Sequence, residues 1–399
     1  MRIVLGVFYY GLLLSGQDFS LWQLAESRLL FDLRRAARQA PDLFYSGIVA
    51  ARFGHEDQGI EQLRRFLQTH PDPERERRAH EELAEALVRT GRFGDAVSEY
   101  REVLRLTQAG DSDRGEIEDE LSTCQALHDV PPQSVEFGNS APVRTKFAGF
   151  FSIRLSVNGK PAQWAIDTGA NLSAVTDSDA RKLGLAIQEG STYASGSTGK
   201  KSPVRTAVAQ VVEFGGARFR NVAFAVIPDK GLPRGAPHGF VGLPVLRGLG
   251  RVNISVKGGL QFPPSAPIPP GEPNLFFEQL TSVELRHGGQ SLQMAVDSGA
   301  NQTSLYASFH AALSAEETSG IRKKKVGSTG LGETITETAE TIPRLTIQMP
   351  GREVVVTQVP FRDHRPADFQ FEDGVIGLDV LGGGFELDFR SMQLVLDAP

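Results

Sequence analysis

An all-α region of helical-hairpin repeats followed by an all-β, two-lobed region is the multi-domain fold class that this sequence predicts, on three observations. Residues 20–128 carry apolar residues at helical spacing around glycine turns. Residues 147–397 hold a β-rich unit written twice, and proline-rich breaks set off the parts. The length of 399 residues agrees, since a domain usually takes about 100–200. Lys plus Arg number 42 and Asp plus Glu 48, a net charge of −6, with 40% hydrophobic and 23% charged residues. That balance fits a globular protein and argues against disorder and against a basic nucleic-acid-binding face.

The first apolar stretch, Ile3 to Leu14 behind Arg2, is well short of the ~20 residues that span a bilayer, so no transmembrane span is expected. Two readings of residues 1–19 stand. One is a short secretory signal ending near Ser15 and Gly16, which sends the chain to the periplasm or outside the cell; the other is a first-helix segment running on into Leu21, Leu24 and Leu29, which leaves it cytoplasmic.

Within residues 20–128, the series Leu83, Ala84, Leu87, Gly91, Phe93, Ala96, Tyr100, Val103, Leu104 places apolar residues on both sides of a glycine turn, which is a helical hairpin. Thirty-seven positions earlier Gly54 centres a like series, from Gly47 and Ala50 to Leu63, Phe66 and Leu67. Small residues at Gly47 and Ala84 let paired helices approach, while Phe66, Phe93 and Tyr100 fill the gaps between hairpins. Over residues 43–108 this resembles the tetratricopeptide repeat family, with departures at Glu56 and Gly59 and a period above the usual ~34. Two repeats fall short of the ~3 needed for independent stability, so flanking helices, near 21–40 and 116–127, are expected to cap the stack or dock it on the rest of the chain. Such a repeat serves either as a groove for a protein partner or as a support. The lone cysteine, Cys124, lies on a predicted helix and reads as core.

Residues 129–146, with Pro131-Pro132, read as a linker, as do residues 263–274, where six prolines fall between Phe262 and Pro273. The lobes are then 147–262 and 275–397. Ala165-Ile166-Asp167-Thr168-Gly169-Ala170-Asn171 returns 130 residues later as Ala295-Val296-Asp297-Ser298-Gly299-Ala300-Asn301. Gly196-Ser197-Thr198-Gly199 returns as Gly327-Ser328-Thr329-Gly330, and Gly239 to Leu246 as Gly374 to Leu381. Between them lie β-branched runs, Val204–Phe214, Val222–Ile227, Thr341–Ile347 and Val354–Val359, which predict antiparallel sheets.

These repeated residues resemble the pepsin-like and retroviral aspartic peptidases, which carry one Asp-Thr/Ser-Gly per lobe or subunit. The resemblance implies a bilobal aspartic-protease fold with Asp167 and Asp297 as the catalytic pair, one proton shared between two carboxylates that cannot both ionise readily. It implies that Thr168 and Ser298 hydrogen-bond across the lobe interface, that Gly169 and Gly299 let the backbone pass the carboxylates, and that Gly242 and Gly377 back each active-site loop. The Gly196–Gly199 and Gly327–Gly330 segments take the place of substrate-covering flaps. One flap per lobe resembles a retroviral protease dimer fused into one chain, with a monomeric active unit, rather than pepsin. Ala170 and Ala300 replace a hydroxyl donor of pepsins, so an activity optimum of about pH 4 to 6.5 is expected.

Other motifs are set aside. Lys200 is preceded by a partial phosphate-loop pattern that lacks its first glycine, and the eight histidines show no metal-ligand spacing. Neither metal nor cofactor is expected. Arg322, Lys323, Lys324 and Lys325 read as a solvated face, and the Asn171 and Asn301 sequons lie too near the aspartates for a glycan. The sequence thus predicts an aspartic endopeptidase acting on a peptide or protein, with helical repeats that bind substrate or partner; the alternative is a non-catalytic peptide-binding scaffold with a degenerate cleft.

Overall fold

The computed structural model describes residues 20–139, 141–190, 192–196, 201–231, 239–263, 271–330, 333–349, 352–362 and 371–397. Among the described residues seven helices come first: α1 (Leu21–Glu26), α2 (Leu30–Ala37), α3 (Leu43–Arg52), α4 (Glu56–Leu67), α5 (Pro73–Arg89), α6 (Phe93–Leu106) and α7 (Arg114–Ala126). Their starts follow from local chemistry. Asp42 accepts from the N–H groups of Phe44 and Tyr45, and Asp72 caps α5 with Pro73 in its first turn. The helices pair as hairpins, α3 with α4 and α5 with α6, around Gly54 and Gly91, which turn the chain at φ of 81° and 72°. The flanking segment expected near 21–40 is two short helices rather than one, because Arg28 stands between them in the left-handed region.

The first lobe contains β1 (Ser134–Phe137), β2 (Thr145–Phe147), β3 (Phe151–Val157), β4 (Lys160–Ile166), β5 (Ser173–Thr176), β6 (Ala186–Ile187), β7 (Thr192–Ser195), β8 (Lys201–Phe214), β9 (Ala217–Ile227) and β10 (Gly239–Val241). After β11 (Arg251–Ser255) and β12 (Gly259–Gln261), the second lobe repeats the plan with β13 (Leu275–Phe277), β14 (Thr281–His287), β15 (Gln290–Val296), β16 (Ser304–Tyr306), β17 (Arg322–Gly330), β18 (Glu333–Met349), β19 (Arg352–Arg362) and β20 (Gly374–Ile376), then β21 (Phe385–Asp388) and β22 (Gln393–Leu396). The order β9-β5-β10-β4-β3-β8 closes on itself through the β8–β9 pairing, and β19-β16-β20-β15-β14-β18 closes in the same way. A third sheet, β12-β11-β21-β22, takes two strands from each half. One apolar core runs through both lobes.

Two expectations need correction. The sheets are mixed rather than antiparallel: β4–β10 and β15–β20 are parallel, as are β5–β9 and β16–β19. Period-2 patterning fixes which face is buried and is silent on strand direction. The segment 129–146 is also no free linker, since β1 adds to β9 with Ser134 opposite Arg220 and Phe137 opposite Ala217.

The helices are seated on the lobes by a buried ionic cluster. Arg52, fully buried, pairs with Glu82 at 2.7 Å, Glu85 at 2.5 Å and Glu278 at 3.2 Å, and donates to the Phe277 carbonyl. Arg28 reaches Glu81, Glu82, Glu85 and Glu278. Glu278 belongs to the second lobe, so the cluster crosses the interface. Phe276 enters the helical core against Phe31 and Phe53, and Arg247 of the first lobe pairs with Glu56 at 2.6 Å.

Candidate active site

Each aspartate is delivered by the same local device. Along β4 the residues Ala162, Trp164 and Ile166 point into the core, and β10 runs parallel with Val241 beside Ile166, so that the Asp167 N–H donates to the Val241 carbonyl at 3.0 Å. In the second lobe Val296 lies beside Ile376 and the Asp297 N–H donates to the Ile376 carbonyl, also at 3.0 Å. The chain then turns sharply in both copies. Gly169 N–H donates to Asp167 Oδ1 at 2.9 Å; Gly299 and Ala300 N–H both donate to Asp297 Oδ1, at 2.7 and 3.1 Å.

The two loops interlock. Thr168 Oγ1 donates to the Val296 carbonyl at 2.7 Å and accepts from Ser298 N–H at 2.8 Å, while Ser298 Oγ donates to the Ile166 carbonyl at 3.1 Å and accepts from Thr168 N–H at 3.1 Å. Both hydroxyls are fully buried. A Cβ at Gly169 would lie 2.5 Å from the Asp297 carboxylate, and one at Gly299 2.8 Å from that of Asp167. The glycines therefore admit the opposite lobe's carboxylate and let the two carboxyl groups come together.

Burial and then the charge of Asp297 push the Asp167 carboxyl well above the usual carboxylate range. Burial raises Asp297 as well, opposed by the donors that meet its carboxylate. The pair titrates as a unit.

Gly242 and Gly377 lie directly behind these loops. A Cβ at Gly242 would meet the Ala170 carbonyl at 2.6 Å, and one at Gly377 the backbone of Gln302 at 2.6 Å and the Ala300 carbonyl at 2.9 Å. Residue reasoning missed the hydroxyls that hold these glycines. Ser173 Oγ accepts the Gly242 N–H at 3.1 Å and Thr303 Oγ1 the Gly377 N–H at 3.1 Å. The available signal was a hydroxyl residue at the same spacing after each aspartate, visible as the last position of the paired Asn171 and Asn301 sequons.

The glycine-bearing segments fall on hairpins. In the first lobe β7 and β8 pair from Thr192 opposite Val204 to Ser195 opposite Lys201, with Gly196 next in the chain; Ser197, Thr198 and Gly199 lie outside the described residues. In the second lobe Gly327, Ser328, Thr329 and Gly330 are paired in β17 opposite Thr336, Ile335, Thr334 and Glu333. Among the described residues no group of three or more His, Cys, Asp or Glu side chains is arranged to hold a metal ion, and no helix is long and apolar enough to cross a membrane.

Parts of the chain are similar to known proteins. Residues 153–245 match the Aspartyl protease family, a stretch that includes the Asp167 loop. Residues 15–116 match the Bacterial transcriptional activator domain, which takes the place of the tetratricopeptide family that the residue pattern resembles; the helical repeats themselves stand. A retropepsin-like aspartic protease from Rickettsia conorii is similar at 23% identity over 29% of this chain and 83% of that one, with a TM-score of 0.21. No curated protein matches.

Proposed function

We propose that the chain is an aspartic peptidase in which Asp167 and Asp297 activate one water against a peptide carbonyl. The observation that carries this reading is the reciprocal packing of the two loops, each glycine against the other lobe's carboxylate. Two N–H donors at Asp297 against one at Asp167 favour the ionised form at Asp297, so the shared proton rests chiefly on Asp167. Asp297 then takes a proton from water as its oxygen adds to the carbonyl carbon, and Asp167 gives its proton to the carbonyl oxygen. Collapse of the tetrahedral intermediate breaks the C–N bond as Asp297 passes its proton to the departing amine and Asp167 recovers one from a diol hydroxyl. We read the lobes as the two halves of a retropepsin-like pair on one chain, Gly242 and Gly377 with Ser173 and Thr303 as supports, the two hairpins as flaps, and the helical repeats as a module that serves the protease lobes.

The test is cleavage of a diverse peptide mixture from about pH 3 to 8 by the intact chain beside Asp167→Asn and Asp297→Asn. Loss of cleavage in both variants is expected. Cleavage that persists in either overturns the paired-aspartate reading, and silence of the folded wild type at every pH favours the peptide-binding alternative.

A further inference from the structure

We propose that helix α7 walls off one end of the substrate cleft, so that the site takes the end of a peptide chain rather than its middle. This rests on the aspartic peptidase reading and narrows it. Four contacts place α7 beside the cleft, from the turn of Gln279 to the first flap hairpin.

The lowest contact is Glu116, whose Oε1 accepts from Gln279 Nε2 at 3.0 Å. Gln279 lies in the turn between β13 and β14, the counterpart of Gly149 between β2 and β3. A Cβ at Gly149 would face Asn301 Oδ1 at 3.8 Å, in the opposite lobe's aspartate loop. By the repeat, the turn of Gln279 flanks the loop that carries Asp167 and Asn171. On the floor itself Leu172, five residues past Asp167, packs against the hydrophobic cluster built around the helices, to which Ile117 and Cys124 of α7 belong.

The upper contacts are to both arms of the first flap hairpin. The hydroxyls of Thr123 and Thr192 share a hydrogen bond of 2.6 Å, and Thr192 Oγ1 reaches the Asp119 carbonyl at 3.2 Å. Across the hairpin, Lys201 Nζ pairs with the Asp119 carboxylate at 2.5 Å. A helix held to the turn of Gln279 and to both arms of the flap hairpin stands across the gap between them.

The second lobe is different at the matching positions. Lys323 and Gln302, the counterparts of Thr192 and Leu172, are exposed, as are Arg322, Lys324 and Lys325 beside them. Among the described residues the cleft is therefore closed at one end and open at the other. Five residues span at most about 18 Å, and an extended peptide advances about 3.3 Å per residue, so at most about five substrate residues fit between the scissile bond and the wall.

The experiment uses the intact chain and peptides of about 20 residues, long enough at 3.3 Å each to overrun both ends of the cleft. Mass spectrometry is expected to show release of fragments of about five residues or fewer, all from the same terminus. In parallel, Asp297→Asn protein is mixed with peptides bearing a bulky fluorophore at one end or the other, and binding is read by anisotropy. The fluorophore at the walled end is expected to weaken binding by about tenfold or more, and at the open end to leave it unchanged. Cuts spread evenly along the peptides, or equal tolerance of the two labels, overturns the wall and leaves the aspartate pair standing. Neither cleavage nor binding of any peptide overturns the peptidase reading and the wall together.

Discussion

Replacing Glu372 with glutamine isolates the cost of keeping a carboxylic acid in the seam between the helices and the second lobe. Glu372 is 1% exposed, with Oε1 accepting from Ser282 Oγ at 2.9 Å and Oε2 without a partner among the described residues. Burial, and after it the charge of Glu278, push its pKa up to about 8. Arg28 and Arg52 do not relieve it, being engaged by Glu82, Glu85 and Glu278. The unfolded chain releases this proton near pH 4.3, so between about pH 4.3 and 8 the native state holds the extra proton and stability falls as pH rises, by about 1.4 kcal/mol per unit. Over that window the loss reaches about 5 kcal/mol. Glu278 shares the pocket and is itself raised to about 8, and it ionises more easily once Glu372 is neutral, which trims the difference to about 3–5 kcal/mol. Glutamine keeps the shape and has no proton to lose. Urea unfolding of both proteins at steps from about pH 5 to 9.5 should show the variant gaining on the wild type with each step and levelling off above about pH 8. Parallel stability curves, offset by a constant, would refute the reasoning, because they require Glu372 to be ionised in the folded protein.

Gly377→Ala puts a methyl group into the backbone of Gln302 and Ala300; peptide cleavage should fall by at least about tenfold with a loss of about 1–3 kcal/mol in stability, and an unchanged kcat would show that the loop yields. Arg52→Ala leaves Glu278 and Glu82 to Arg28 in the interface, with fewer cations than acids in the buried cluster, and should cost about 3–5 kcal/mol in urea unfolding. The aspartate pair, raised by burial and lacking a side-chain hydroxyl at Ala170 and Ala300, should give an activity profile peaking at about pH 4 to 6.5, and an optimum below about pH 3 would contradict that. Cys124, fully buried with its thiol pushed well above the usual range by burial, should stay unmodified by a thiol reagent until urea opens the helices.

The aspartate loops were legible because a duplicated site must repeat its chemistry at a fixed offset, and glycines that admit a carboxylate tolerate no substitute. The helical hairpins were legible through their turns at Gly54 and Gly91. The docking of α7 was not. Thr123, Thr192, Lys201 and Gln279 are polar residues far apart in the chain, and nothing in their spacing distinguishes a contact from a solvated surface. Glu278 and Glu372 read as ordinary surface acids for the same reason, since burial of a charge is a property of the assembled fold. The strand β1 was hidden because its partner β9 begins some eighty residues later, and the parallel pairs behind Asp167 and Asp297 were hidden because alternation of apolar residues is the same in both directions.

The sheet β12-β11-β21-β22 changes what kind of equilibrium governs the site. Two separate subunits would have to find each other, and their activity per mole would fade on dilution below the dissociation constant. Here Arg251 to Ile254 pair with Asp388 to Phe385 within one chain, so bringing Asp167 to Asp297 is a folding event and not an encounter. Specific activity should stay flat from micromolar to picomolar enzyme. The two halves also differ: α7 meets the β7–β8 hairpin through Thr123 and Asp119, while Lys323 at the matching position is exposed, a departure that a symmetric dimer, reading one gene twice, has no means to make on one side alone.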